Sequence, residues 1–293
     1  MPAPSRTPLL KRIAERIVGP DFAKVIWKRI EIIGDVAIIR KSFDVPTEVY
    51  KSIGEEILRE IHYVKSVWLA ASPVQGFERV REYIHLAGER KSETIYREHG
   101  CVFKVDFTKV YISPVLGFDH IRIARIVRNG EKILNMFAGF GPYSIIVSKH
   151  AKPAYVISID LNEFAVHYAR VNIEMNRVEA YNDVIHGDAL TITSSLNEKF
   201  DRILMPYPDA FKDAFKDALD AVKIGGYLHP HLFVEAPNKR EALHKAYETV
   251  STYAQSLDVI VEPLGGHVIR GVAPRKYHVT VDVVVKSKTK NVL

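Results

Sequence analysis

From Lys132 onward, short apolar runs alternate with segments whose apolar residues recur every three to four positions. KILNMF (132–137) reads as a strand, and a helix follows from Pro142, because proline is well tolerated at the first helical position. AYVISID (154–160) is a second strand and NEFAVHYARVNIEMN (162–176) a second helix. Strands are expected in AYNDVIHGD (180–188), FDRILMPYP (200–208) and GGYLHPHLF (225–233), with helices in DAFKDAFKDALDAVK (209–223) and NKREALHKAYETVSTYA (238–254). The tail, LDVIVEPLGGHVIRGVAPRKYHVTVDVVVK (257–286), reads as two β segments around a long loop. Strand–helix alternation of this kind predicts an α/β architecture with a doubly wound, mostly parallel sheet.

Upstream the pattern is mixed. WKRIEIIGDVAIIRK and GCVFKVDFTKVYIS read as strands, and TEVYKSIGEEILREIHYV as a helix. Leu9, Leu10, Ile13 and Ile17 fall at helical spacing and predict a surface helix, preceded by a loose Met1–Arg6. The change of pattern divides the chain into a smaller α+β domain, residues 1–115, and an α/β domain, residues 116–293. The net charge of +6 is denser in the first part, where 19 Lys and Arg stand against 15 Asp and Glu, an excess that suits a polyanion partner. No apolar run approaches the roughly 18 residues of a membrane helix, and the N-terminus has no apolar signal core, so no membrane partner is expected and the expected location is the cytoplasm. A single cysteine, Cys101, excludes a disulfide framework and reads as a small buried apolar residue. His229 and His231 in HPH share one strand face, but too few further ligands are in view for a metal site, so none is expected.

The turn after the first strand of the α/β domain, FAGFGP (137–142), carries Gly139 and Gly141. In a doubly wound sheet ligands bind at the carboxyl ends of strands, and glycine lets the backbone approach them closely. The third glycine of the dinucleotide pattern G-x-G-x-x-G is replaced by Ser144. Asp160 ends the second strand, 21 residues after Gly139, where a carboxylate accepts hydrogen bonds from ribose hydroxyls. Asp188 ends the third strand and is placed to hold an adenine amino group. Either aspartate alone reads first as a helix cap. Together with the turn they imply an adenosine without a pyrophosphate, which S-adenosylmethionine fits.

With FAGFGP, SIDLNEFAVHYARVNIEMN, HGDA and DRILMPYP in view, the chain resembles the archaeal and eukaryal tRNA guanosine-37 N1-methyltransferases and their relatives that build wyosine-type bases at the same nucleotide. The likeness runs from about residue 30 to 286 and includes GFERVREYIHLAGERKSETIYREHGCVFKVDFTKVYISP (76–114) and APRKYHVTVDVVV. It implies a Rossmann-like methyltransferase domain using S-adenosylmethionine, an N-terminal domain that recognises tRNA at the anticodon loop, and a protein acting as a monomer. It places the cofactor against Phe137, Ala138, Gly139, Phe140, Gly141 and Pro142, with Asn135 before the loop, Asp160 at the ribose, Asp188 at the adenine and Pro206 nearby. It places Arg79 near the target-base oxygen and Tyr111, Tyr207 and Pro208 about the target base.

Two departures bear on the reaction. Where the methyltransferases have Glu-Arg, with the Glu as general base, this chain has Asp119-His120, so either is a candidate base. Where they have Asn-Leu-Pro it has Pro206-Tyr207-Pro208, which resembles one archaeal branch acting in wyosine formation as well as on guanosine. Tyr207 also matches the aminocarboxypropyl transferases, whereas Pro206 does not. The expected function is base methylation at position 37 of tRNA. The alternatives are aminocarboxypropyl transfer there and, of another class, a tRNA-binding protein without turnover.

Overall fold

A computed structural model describes residues 7–42, 45–72 and 81–288. In chain order these form α1 (Leu9–Val25), β1 (Glu31–Ile33), β2 (Val36–Arg40), α2 (Thr47–Glu60), β3 (Ser66–Ala70), β4 (Tyr83–Gly88), β5 (Glu93–Glu98), β6 (Cys101–Asp106), α3 (Gly117–Ile126) and β7 (Lys132–Asn135). They continue with α4 (Pro142–Ala151), β8 (Tyr155–Asp160), α5 (Glu163–Asn176), β9 (Asn182–His186), α6 (Ala189–Ser195), β10 (Phe200–Met205), α7 (Phe211–Ala221), β11 (Val222–Glu235), α8 (Lys239–Gln255), β12 (Val259–Ala273) and β13 (Lys276–Lys288). Two compact units result: Met1–Arg97 with Val102–Ile112, and Glu98–Cys101 with Ser113–Leu293.

The first unit holds a four-stranded sheet of order β1-β2-β3-β4 and most of the two-stranded β5-β6 sheet. Strands β2 and β3 are parallel and joined through α2; the flanking pairs are antiparallel. Leu10, Ile13 and Ala14 of α1 are buried against Tyr50, Ile53 and Ile57 of α2 and the sheet, while Ile17 stays partly exposed. α1 is kinked at Gly19, whose φ of 82° precedes Pro20, as expected where a proline removes a backbone donor. The expected looseness of Met1–Arg6 lies outside the described residues.

The second unit is built on a seven-stranded sheet of order β12-β13-β11-β10-β7-β8-β9. The five strands from β11 to β9 are parallel, and β12 and β13 add an antiparallel edge. The order reverses between β10 and β7, so their carboxyl ends flank the crevice of a doubly wound sheet. Alternation in HVTVDVVV sorts the two faces of β13. Val279, Val281, Val283 and Val285 join the core with Ile203, Met205, Phe215 and Leu228. His278, Thr280 and Asp282 stand on the opposite face, beside His229 and His231 of β11.

Two readings of the sequence need correction. The tail is a long hairpin with residues 274–275 between its strands, rather than two β segments around a long loop. Pro263, Gly265, Gly266 and Gly271 look like loop residues, but they lie on an edge strand that takes up irregular pairing. The short helices α3 and α6 were not foreseen, because neither carries a long apolar period. Cys101 is buried as expected, and burial pushes its thiol up to about 11.

Candidate active site

The turn between β7 and α4 is held by the two strands that flank β7, β10 and β8. Met136 N donates to Leu204 O (3.1 Å), Ala138 N to Ile159 O (2.9 Å) and Gly139 N to the Asp160 carboxylate (2.7 Å). From behind, Asn172 of α5 donates to Phe140 O at 3.1 Å. Both glycines are left-handed, with φ of 56° at Gly139 and 91° at Gly141, the latter leading straight into Pro142 at the helix start. A side chain at Gly141 would press on Ile145, so that position needs glycine for packing as well as conformation. A side chain at Gly139 would meet no atom within 4 Å, so there the backbone borders open space that a ligand can enter.

Asp160 accepts from Gly139 N and from Asn162 N (3.0 Å). Burial raises its carboxyl pKa, opposed by these backbone hydrogen bonds. Asp188 caps α6 through Leu190 N and Thr191 N, and the Thr191 hydroxyl holds its carboxyl below the usual range. It thus does what a cap does while standing at the carboxyl end of β9. After β10, Pro206 and Tyr207 lead into a short turn beginning at buried Pro208. The Tyr207 ring lies edge-on to Phe137 of the glycine turn, centroids 5.3 Å apart, so the two loops at the sheet's switch point touch. Phe137, Ala138, Gly139, Asp160, Asp188, Pro206 and Tyr207 thus share one end of one sheet.

Other expected residues are placed differently. Asn135 is fully buried behind the turn, its amide donating to Ser144 Oγ (3.0 Å), while its Oδ1 has no hydrogen-bond partner. It braces the start of α4 and has no exposed surface to offer a ligand. Asp119 is 0% exposed. It accepts from Arg122 Nε (2.7 Å) and from the Tyr143 hydroxyl (2.6 Å), and His231 Nε2 lies 3.4 Å away. Burial alone would raise its pKa, but His231, Arg122 and Tyr143 reverse this and hold the carboxyl far below the usual range. His120 is 3% exposed, donates from Nδ1 to Glu98 (2.6 Å) and leaves Nε2 without a partner. The expected general-base role therefore fits neither residue in this structure: Asp119 is a weak base with its acceptor sites engaged, and the free nitrogen of His120 is closed off. Tyr111 is half-buried in the first unit, and Arg79 lies outside the described residues.

Reasoning from sequence missed Tyr143, although it directly follows the glycine turn, and missed Glu98, Arg122 and Asp282; Glu98 and Asp282 act through partners distant in the chain, and Arg122 joins nearby Asp119 to distant Asp282. Among the described residues no group of three or more His, Cys, Asp and Glu is arranged to hold a metal, and no helix is long and apolar enough to cross a membrane.

Residues 94–262 match the model of the TRM5/TYW2 methyltransferase domain. The chain belongs to that family. It is 42% identical over 259 residues to the tRNA 4-demethylwyosine(37)-methyltransferase Taw21 of Saccharolobus solfataricus, covering 88% of this chain and 94% of that protein. It is 36% identical over 268 residues to the tRNA (guanine(37)-N(1))-methyltransferase Trm5b of Pyrococcus abyssi, covering 90% of this chain and 77% of that protein. The crystal structure of that Trm5b superposes with a TM-score of 0.81, at 34% identity, over 97% of this chain and 82% of its own. P. horikoshii TYW2 in complex with MeSAdo superposes with a TM-score of 0.75, at 25% identity, over 95% and 98%. The family relationship makes the chain a transferase.

Proposed function

We propose that this chain is an S-adenosylmethionine-dependent tRNA methyltransferase acting on the base at position 37, with 4-demethylwyosine preferred to unmodified guanosine. It acts in the cytoplasm and as a monomer. The similarity to Taw21 across nearly all of that protein carries the reading. The site supports it. Gly139 borders open space, and Asp160 keeps acceptor capacity for a ribose after taking two backbone hydrogen bonds. Asp188 stands at the next strand end for the adenine, and Phe137, Ala138, Gly141, Pro142 and Pro206 complete the cradle.

The sulfonium of the cofactor supplies the methyl group. On transfer the bond from sulfur to the methyl carbon would break, the cofactor would leave as its neutral thioether, and the proton displaced from the attacked base atom would pass to solvent; the protein's part is to hold the methyl in line with a nucleophile about 3 Å away. Tyr207, braced by Phe137, offers a ring for an extruded base to stack on. Pro206 has no N–H, and neither Pro206 nor Pro208 carries a polar side-chain group, so this loop suits a bulky tricyclic base better than a guanine edge. The N-terminal residues 1–115, with their excess of Lys and Arg, bind the RNA, Arg79 and Tyr111 among them.

Mass spectrometry of nucleosides tests this, using tRNA with and without 4-demethylwyosine incubated with protein and S-adenosylmethionine. The expected product is a methylated 4-demethylwyosine. An added aminocarboxypropyl group, or methylation of guanosine-37 alone, would overturn the reading.

A further inference from the structure

Three groups converge on one side chain at the start of α4. Tyr143, buried and next in sequence to Pro142, donates its hydroxyl to Asp119. The His120 ring stands edge-on to it at 4.4 Å and the His231 ring at 6.2 Å. Asp119 and His120 are themselves held from behind. His120 is tied to Glu98. Asp119 is tied to Arg122, whose guanidinium is bidentate on Asp282; His229 donates to Asp282 (2.6 Å) and accepts from Arg202 (2.6 Å), and Arg202 is bidentate on Glu131 (2.7 and 2.9 Å). Every member lies in the second unit. Such a chain of buried charges is a poor device for stability, since apolar packing does that at least as well. It is a good device for fixing one position, because each geometry is set on two sides.

We infer that Asp119 and His120 are positioning residues that act through Tyr143 on the cofactor turn and do not touch the target base. A hydroxyl anchored on a buried carboxylate fixes the first turn of α4. Through the 2.9 Å bond from Ile145 N to Gly141 O and the 3.1 Å bond from Gly141 N to Ala138 O, that turn fixes the backbone at Gly139. To serve as a base, Asp119 would have to leave Arg122 or Tyr143 and strand a partner in the interior.

The inference rests on the reading of the turn as an S-adenosylmethionine site. Tyr143→Phe removes only the hydroxyl and keeps the ring. Calorimetry should then give about 3- to 10-fold weaker S-adenosylmethionine binding, with the cofactor KM rising in step. At saturating cofactor, kcat and its pH profile should stay those of the wild type. Asp119→Asn should move the same quantities the same way, and if it does not fold, Tyr143→Phe alone decides. Unchanged cofactor affinity in Tyr143→Phe overturns the inference. So does an Asp119→Asn enzyme that binds cofactor normally but loses a hundredfold or more in kcat together with a limb of its pH profile. Wild-type protein that bound no S-adenosylmethionine would bring down the cofactor reading and this inference with it.

Discussion

Asp160 accepts two backbone N–H groups, about half of what a carboxylate can take. One of them belongs to Gly139, so the residue proposed to meet the ribose also sets the turn beside it. Asp160→Ala should weaken S-adenosylmethionine binding by about 1.5–3 kcal/mol, the range for hydrogen bonds to a charged group. Calorimetry giving wild-type affinity would remove Asp160 from the site. Tyr207 is proposed to stack on the base and not to hold the cofactor, so Tyr207→Ala should lower turnover by about 5- to 150-fold, as loss of a base-stacking ring costs about 1–3 kcal/mol. Cofactor affinity should change little, though Phe137 loses a neighbour. Unimpaired turnover would leave Tyr207 as mere packing. Asp160 and the glycine turn were legible because strand ends and short spacings along the chain define them. The setting of Asp119 was not, because its anchor runs through Arg122 to Asp282, 160 residues beyond Arg122.

Elements whose periodicity is long and clean were read correctly: β7, β8, β10, α5, α7 and α8 lie close to their expected spans. The polar stripe of β11 and β13 was visible only as HPH and as alternation in HVTVDVVV, and what covers it, α3, was not foreseen. That stripe makes its own predictions. Asp282→Ala would leave Arg122 short of a carboxylate in a mostly buried setting, at a cost of about 3–5 kcal/mol by urea denaturation. His229 must be neutral, since Arg202 can only donate to its Nε2. Burial lowers its pKa, with the charges of Arg202 and Arg122 adding to the effect and Asp282 opposing it. The unfolded chain takes up a proton near pH 6.5 while the folded one does not, so stability from this group is complete above that pH and falls as pH drops below it. Asp119 and Asp282 have lowered carboxyl pKa values, so their loss comes only in stronger acid. His229→Gln, which can still accept from Arg202 and donate to Asp282, should flatten the slope of stability between pH 7 and pH 5. An unchanged slope would refute the assignment.

At the scale of the whole molecule, the change of pattern near residue 115 lies close to where the chain divides, but the division is not a single cut. Glu98–Cys101, the tip of the β5–β6 hairpin, belongs with the second unit, and no sequence pattern marks it, since of these two strands only β6, within GCVFKVDFTKVYIS, was expected. Glu98 is the partner of His120, and Gly117 at the start of α3 lies so close to it that an added Cβ would come within 3.3 Å of its carboxylate. A fragment of residues 116–293 would lose that carboxylate and leave the Nδ1 of a buried imidazole unpaired, whereas one of residues 93–293 keeps it. The longer fragment should therefore be the more stable by about 1–3 kcal/mol, the usual cost of an unsatisfied buried polar group, and should bind S-adenosylmethionine like the full chain. Neither should bind tRNA with full affinity, because Arg79 and an excess of 16 Lys and Arg over 12 Asp and Glu lie in residues 1–92. Thermal melts, calorimetry and gel shifts at two salt concentrations on the two fragments separate these statements. Equal stability would deny Glu98 its role in the second unit, and a full, salt-sensitive tRNA shift by residues 93–293 would move RNA binding out of the N-terminal part.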